Sequence, residues 1–276
     1  MRKILAVVVV MMATAPALVL GQASETSVVL ADMQAALGGA DQLAAVRTLT
    51  AAGTVYRVTA RGGDERGIEL AMELPATFVA RRVLTGEGAT AVYRNLGFDG
   101  ESLVEELDAP PDLNISGLQQ RLAARLRVQE NWTSEDREAA AARQLNAQKA
   151  YFARVALGML GSSYEVFPVH FSYAGLAESP DGSAHTLTVE GTNGFQAQLF
   201  VDAQSGLPLM LRWKRPAAGG TTTDSRYYYS DFKSVGDLNL PHAIQWTVDG
   251  EVREQMTFEE IVINSEIDHE KFSLSR

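Results

Sequence analysis

Phe195-Gln196-Ala197-Gln198-Leu199-Phe200-Val201 is followed by Asp202-Ala203-Gln204-Ser205-Gly206 and then by Leu207-Pro208-Leu209-Met210-Leu211-Arg212-Trp213. Phe195, Ala197, Leu199 and Val201 share one face of the first run, opposite Gln196 and Gln198. Leu207, Leu209, Leu211 and Trp213 share one face of the second. A period of two predicts half-buried antiparallel strands, with the Asp-to-Gly segment as the turn between them. The pattern returns in Arg226 to Phe232, Ala243 to Val248 and Glu254 to Ile263, and Asp249-Gly250 is a strong hairpin signal. A sheet that is apolar on one face must be covered by another element or by a ligand.

Working towards the N-terminus, His185 to Gly191 and Tyr164 to Tyr173 read as further strands. Pro168 places the latter at an edge or a bulge, because proline cannot donate to a ladder. Before them the character changes. Leu118 to Leu160 is rich in Ala, Leu, Arg, Gln and Glu, all good helix formers. Leu118, Leu122 and Leu126 recur every fourth residue, and Thr133 precedes Glu135 and Asp136 as a helix N-cap would. Leu145, Phe152 and Met159 follow at intervals of seven, with Val155 between them, and Gly158 and Gly161 read as the end. Each helix has one apolar stripe and needs the sheet to bury it, so residues 113–161 are a helical insertion rather than a domain. Ala109-Pro110-Pro111-Asp112 separates it from a first strand block, Leu49 to Leu107. Ser27 to Leu37 and Ala40 to Val46 read as short helices broken at Gly38-Gly39. Roughly ten strands with small helical groups make the fold class α+β.

The opening residues look like an address. Arg2 and Lys3 precede the apolar run Ile4 to Leu20, and Gly21-Gln22-Ala23 offers a cleavage site after Ala23. Residues 1–23 are expected to be a signal peptide and 24–276 a single exported domain. The sequence contains no cysteine, so disulfides, thiolate nucleophiles, zinc–sulfur sites and a cysteine-linked lipid anchor are all excluded. Export without disulfides fits a bacterial periplasm, and a domain of this length is stable without staples. A net charge of −10 argues against nucleic acid as partner, since phosphate backbones require a basic surface.

Catalytic signals are weak. His170, His185, His242 and His269 have no metal-ligand spacing, no Gly-x-Ser-x-Gly elbow occurs, and Ser162, Ser163 and Ser205 have no recognisable base. Asp202, Asp231 and Asp249 read as turn acids, and Asp268-His269-Glu270 as a solvated turn. The reading is therefore not an enzyme, with no cofactor and no metal. The inward positions of sheet and insertion are the candidate ligand lining: Leu209, Leu211, Trp213, Tyr227, Tyr229, Ile244, Trp246, Met256 and Phe258 on strands, and Leu145, Phe152, Val155 and Met159 on the helix. Met and aromatic side chains make adaptable surfaces for apolar ligands, and they equally make an ordinary core.

Leu37-Gly38-Gly39-Ala40-Asp41-Gln42-Leu43-Ala44-Ala45-Val46-Arg47-Thr48-Leu49 with Gly53 resembles the opening of exported members of the bacterial periplasmic lipoprotein-carrier superfamily. Phe200-Val201-Asp202 with Gly206-Leu207-Pro208 is similar too, as are Tyr229-Ser230-Asp231-Phe232 with Gly236 and Leu240-Pro241, and the closing Asn264 and Phe272. The resemblance implies an incomplete β-barrel: a strongly curved antiparallel sheet whose concave side is covered or plugged by helices, with an apolar space that holds acyl chains. It implies periplasmic binding or transport of lipid or lipoprotein acyl chains. This chain is longer than the carrier and its insertion larger, and no residue is carried over as a regulator of opening. The alternative is an envelope protein-interaction or assembly module whose core is filled by its own side chains. Neither reading makes it an integral membrane protein.

Overall fold

A computed structural model of the chain describes residues 17–59, 62–113, 117, 132–180 and 182–274. Twelve strands form one antiparallel sheet in the order β5-β4-β3-β2-β1-β12-β11-β10-β9-β8-β7-β6. The first block is β1 (Thr48–Thr59), β2 (Gly62–Glu73), β3 (Thr77–Thr85), β4 (Val92–Asp99) and β5 (Ser102–Asp108). The second is β6 (Val169–Ser179), β7 (Gly182–Gly191), β8 (Gln196–Asp202), β9 (Pro208–Pro216), β10 (Thr222–Val235), β11 (Leu238–Val248) and β12 (Glu251–Ile263). Each block is a meander, and they join where β1 pairs with β12, from Leu49 opposite Ile263 to Arg57 opposite Glu254. The free edges are β5 and β6, which are consecutive in the chain. The segment between them must cross the sheet, and this is why the insertion lies where it does.

The helices lying within the described residues are α1 (Ala17–Ala36), α2 (Ala40–Ala44), α3 (Ser134–Leu160) and α4 (His269–Phe272). Helix α3 starts at Thr133, whose hydroxyl accepts from the Asp136 amide while the Asp136 carboxylate accepts from the Thr133 amide, a capping box. It stops at Gly161, left-handed at φ 58°. Gly158 does not end the helix; it lies inside the last turn. The Leu118–Leu126 repeat lies outside the described residues.

The sheet is open but wraps around α3. The Phe152 ring lies 5.7 Å from Phe98 of β4, and the Arg154 guanidinium lies 4.8 Å from the Trp213 ring of β9. Residues 152 and 154 are separated by only ~3 Å of helix rise. In a flat sheet β4 and β9 would stand ~34 Å apart at ~4.8 Å per strand. The pairing carries register shifts at Ala52/Gly53 between β1 and β12, Val83/Thr85 between β3 and β4, Tyr173/Gly175 between β6 and β7, Phe200/Val201 between β8 and β9 and Trp246/Thr247 between β11 and β12. Bulges bend a strand and increase its twist. This is the expected α+β incomplete barrel with a helix on its concave face. The described strands number twelve, against the roughly ten expected.

The β6 edge is protected. Helix α1 packs on β6, burying Val29, Met33 and Leu37, and the Thr26 hydroxyl accepts from the Tyr173 amide of β6 at 2.8 Å. Pro168 immediately precedes this edge strand, as its missing amide requires. On the convex side, the segment after β12 folds back over the first block. Ile267 and Phe272 bury against Ala71, Val79 and Val104. Asn95, fully buried, donates to the Lys271 carbonyl at 2.9 Å, and Arg81 stacks 3.7 Å over Tyr93. The Asp268-His269-Glu270 trio is solvated at Asp268 and Glu270 but opens a short helix rather than a turn: Asp268 caps α4 and His269 Nε2 meets Glu73 Oε1 at 2.6 Å.

Candidate functional site in the concave face

The site is the trough of the curved sheet, with α3 lying in it. Ten of the thirteen candidate lining residues are buried there. Phe152, Val155, Met159, Leu211, Ile244, Met256 and Phe258 are at most 1% exposed, and Tyr229, Tyr227 and Trp213 are nearly as deep. Leu145 is half-buried against the same cluster, and Trp246 is half-buried at its margin. Leu209 is the exception, exposed at 39%. Val201 pairs with Pro208 and Phe200 with Met210, so Leu209 is the extra residue of a bulge and faces outward. A strict alternation from Leu207 could not anticipate the inserted step.

The middle of the trough is packed solid. Phe78, Phe98, Tyr151, Phe152 and Tyr164 form a chain of ring contacts, with centroids 5.3–6.3 Å apart. Two clefts flank this plug. The first, of about 310 Å³, lies between Gln148 and Tyr151 of α3 and the centre of the sheet. Its apolar wall is Val55, Ala80, Val83, Leu84, Leu96 and Tyr227, with Trp246 beside them. The second, of about 870 Å³, lies on the other flank of α3, against β7, β8 and β9, with Trp213 in its wall. Of the candidate lining residues, only Tyr227, Trp246 and Trp213 reach one of these two clefts; the others, Leu209 apart, form the plug and its bed.

Charge is built into the first cleft. Glu254 takes Arg82 Nη1 at 3.0 Å and Arg57 Nη2 at 2.7 Å, and Arg82 Nη2 donates to the Tyr151 hydroxyl at 3.2 Å. Arg82 is deeply set; burial opposes its charge, but Tyr151 and Glu254 outweigh burial and raise its pKa further. Burial would raise Glu254, and the charges of Arg82 and Arg57 prevail and hold it below the ordinary carboxylate value. Tyr227 and Tyr229 are pushed up by burial, so both stay neutral. The Tyr229 hydroxyl donates to the Arg154 carbonyl at 2.6 Å. The sequence reading missed these charges, yet a signal for them exists: Arg82 follows Phe78 and Ala80, and Glu254 precedes Met256 and Phe258, on the inward parity of their strands.

Among the described residues no group of His, Asp and Glu is placed to hold a metal ion, and no helix is long and apolar enough to cross a membrane.

No protein-family model matches the chain, and no curated protein does. Solved structures do. A DUF1329 family protein from Desulfovibrio piger is similar with a TM-score of 0.51 at 7% identity, over 90% of this chain and 96% of that one. A domain assigned to outer-membrane lipoprotein sorting from Vibrio parahaemolyticus has a TM-score of 0.49 at 11% identity, over 91% and 97%. A LolA superfamily protein from Nitrosomonas europaea has a TM-score of 0.49 at 10% identity, over 90% and 97%. At 7% identity, what the Desulfovibrio piger protein shares with this chain is the fold. The α+β incomplete barrel expected from the sequence, an open curved sheet with a helix in its trough, is the architecture this chain has.

Proposed function

We propose that this chain is an exported, non-enzymatic carrier of lipid or lipoprotein acyl chains in the bacterial periplasm, with the trough as the binding space and α3 as its movable plug. The observation that carries the reading is the first cleft: an opening with an apolar wall beside a single helix that is bedded on apolar side chains. At about 310 Å³ it is at the small end of ligand sites. Deeper loading requires α3 to shift and yield its bed of Leu211, Ile244, Met256 and Phe258. Each methylene buried there would contribute about 0.8 kcal/mol.

A second reading has its own support. Phe152, Val155 and Met159 already fill the space a ligand would take. On that reading the protein is an envelope interaction or assembly module with a permanent core.

Two measurements separate these readings. Organic extraction of natively purified protein, followed by mass spectrometry, is expected to release lipid. Asn193 Nδ2 donates to Asn146 Oδ1 at 3.0 Å, tying α3 to the β7–β8 connection. Asn146→Cys with Asn193→Cys, bridged by a short bismaleimide, pins the helix in a chain that otherwise has no cysteine. The bridged protein is expected to lose uptake of a fluorescent fatty acid that the unbridged variant retains. Normal uptake with the bridge in place would sink the movable plug, and absence of both lipid and uptake would favour the assembly module.

A further inference from the structure

The second cleft is a concentration of positive charge in an acidic protein. Arg143, Arg154, Arg212, Lys214 and Arg215 line it, against one carboxylate, Glu190. Arg212 is neutralised by Asp224 at 2.8 Å. The other four cations have no ion pair among the described residues. This contrasts with the first cleft, where Arg57 and Arg82 share Glu254, Arg66 holds Asp64 and Arg94 holds Glu105.

Arg154 is the telling residue. It is set between the helix and the sheet, with its guanidinium over Trp213 at 4.8 Å and near Phe195 at 5.9 Å. Its Nε is buried with no hydrogen-bond partner. Burial lowers its pKa, the hydroxyls of Tyr227 and Tyr229 partly compensate, and the charge of Arg215 lowers it again. Arg215 in turn stacks on Trp246 at 5.4 Å, and the buried Trp246 Nε1 also has no acceptor. Arg154 thus lies within the field of a second cation with its Nε orphaned, whereas the Trp246 donor belongs to the wall of the first cleft. A buried donor left unpaired costs about 1–3 kcal/mol, and an unpaired buried charge costs more. An oxyanion supplies what is missing: negative charge and several acceptor lone pairs at once. Guanidinium forks suit the tetrahedral oxygens of phosphate in particular.

We propose that the cleft between α3 and β7–β9 is a binding site for a phosphoryl group, held by Arg154 and Arg215 with Arg143 and Lys214 at its mouth. The same chemistry belongs to a phospholipid headgroup and to free phosphate. The site stands on its own charges and does not rest on the acyl-chain reading, so either can fail without the other.

The test is calorimetric titration of the full chain at low salt with three probes: inorganic phosphate, dihexanoyl phosphatidylglycerol below its micellar concentration, and the matching phosphatidylcholine. Phosphate and phosphatidylglycerol are expected to bind and to weaken on adding sodium chloride, because such contacts are screened. Arg154→Met keeps the stacking volume and removes the charge; Arg215→Gln and the exposed Arg143→Gln leave the packed interior intact. Loss of binding on the order of tenfold is expected for Arg154→Met and Arg215→Gln, with a smaller loss for Arg143→Gln. Binding of phosphatidylglycerol but not phosphate, with the same losses, assigns the site to a headgroup. Binding of neither, equal binding of phosphatidylcholine, or unchanged affinity in Arg215→Gln and Arg143→Gln would overturn the proposal.

Discussion

Gly158 of α3 rests against the ring of Tyr229 of β10, so closely that a β-carbon at position 158 would lie 2.0 Å from Tyr229 Cε1. The ring also holds the helix by a polar contact, through its hydroxyl to the Arg154 carbonyl. The glycine thus brings the helix down onto the sheet. Replacing it with alanine improves intrinsic helix propensity by about 1 kcal/mol. The steric penalty of overpacking, typically 1–3 kcal/mol, runs against that gain. Gly158→Ala is expected to destabilise the protein on balance and to increase amide exchange along the C-terminal half of α3. A rise in the urea midpoint would show that the helix is not seated on Tyr229 as described.

The ion pairs of the first cleft give stability a dependence on acid. Glu254 titrates below its ordinary 4.5 in the folded protein. A carboxyl depressed by folding adds stability that is complete above its unfolded value and lost as pH falls through its folded value. Unfolding free energy is therefore expected to decline as pH drops below about 4.5, and Glu254→Gln to flatten that decline. Asp202 and Asp224 are depressed as well, so the slope shrinks without vanishing. At neutral pH the same change should cost about 1–3 kcal/mol, since Arg82 keeps its charge and loses its partner. Parallel pH profiles for the two proteins would contradict the pairing.

The bulge in β9 makes neighbouring leucines unequal. Leu209→Ser is expected to change stability by no more than about 0.5 kcal/mol. Leu211→Ala, which opens a cavity under α3, should cost about 2–5 kcal/mol. Chemical denaturation of the two variants decides it, and similar losses would mean that Leu209 faces inward after all.

Phe272 fastens the segment after β12 to the convex face. It is 3% exposed and packs with Ile267 over Val79 and Val104. Phe272→Ala is expected to cost about 3–5 kcal/mol and to open the chain after Asn264 to limited proteolysis, while β10 and β11 stay protected. Proteolysis confined to other loops would argue against this fastening.

Much of this architecture could be read from residue order. Period-two runs placed β7 to β12, Asp249-Gly250 placed a hairpin whose two turn residues do take positive φ, and Thr133 marked the start of α3. What escaped depends on pairings and contacts that residue order does not display. The direction of Leu209 depends on how β8 pairs with β9. The role of Gly158 depends on a tyrosine in β10. The docking of His269 depends on Glu73, nearly two hundred residues earlier. The candidate site was legible as an apolar trough because inward parity is local. Its charges were overlooked because Arg57, Arg82 and Glu254 meet only when the two strand blocks join.

That join between β1 and β12 has a consequence for the order of assembly. The five strands of the first block leave the ribosome, and on the proposed route cross the membrane, before their central partner exists. Until β12 arrives, the β1 edge stays unpaired, and no contact nearer in sequence can take its place. Loop closure over such a span is slow, and an open strand edge is an invitation to aggregate. The β1 edge is thus left open for the whole interval between synthesis of Thr59 and synthesis of Glu251.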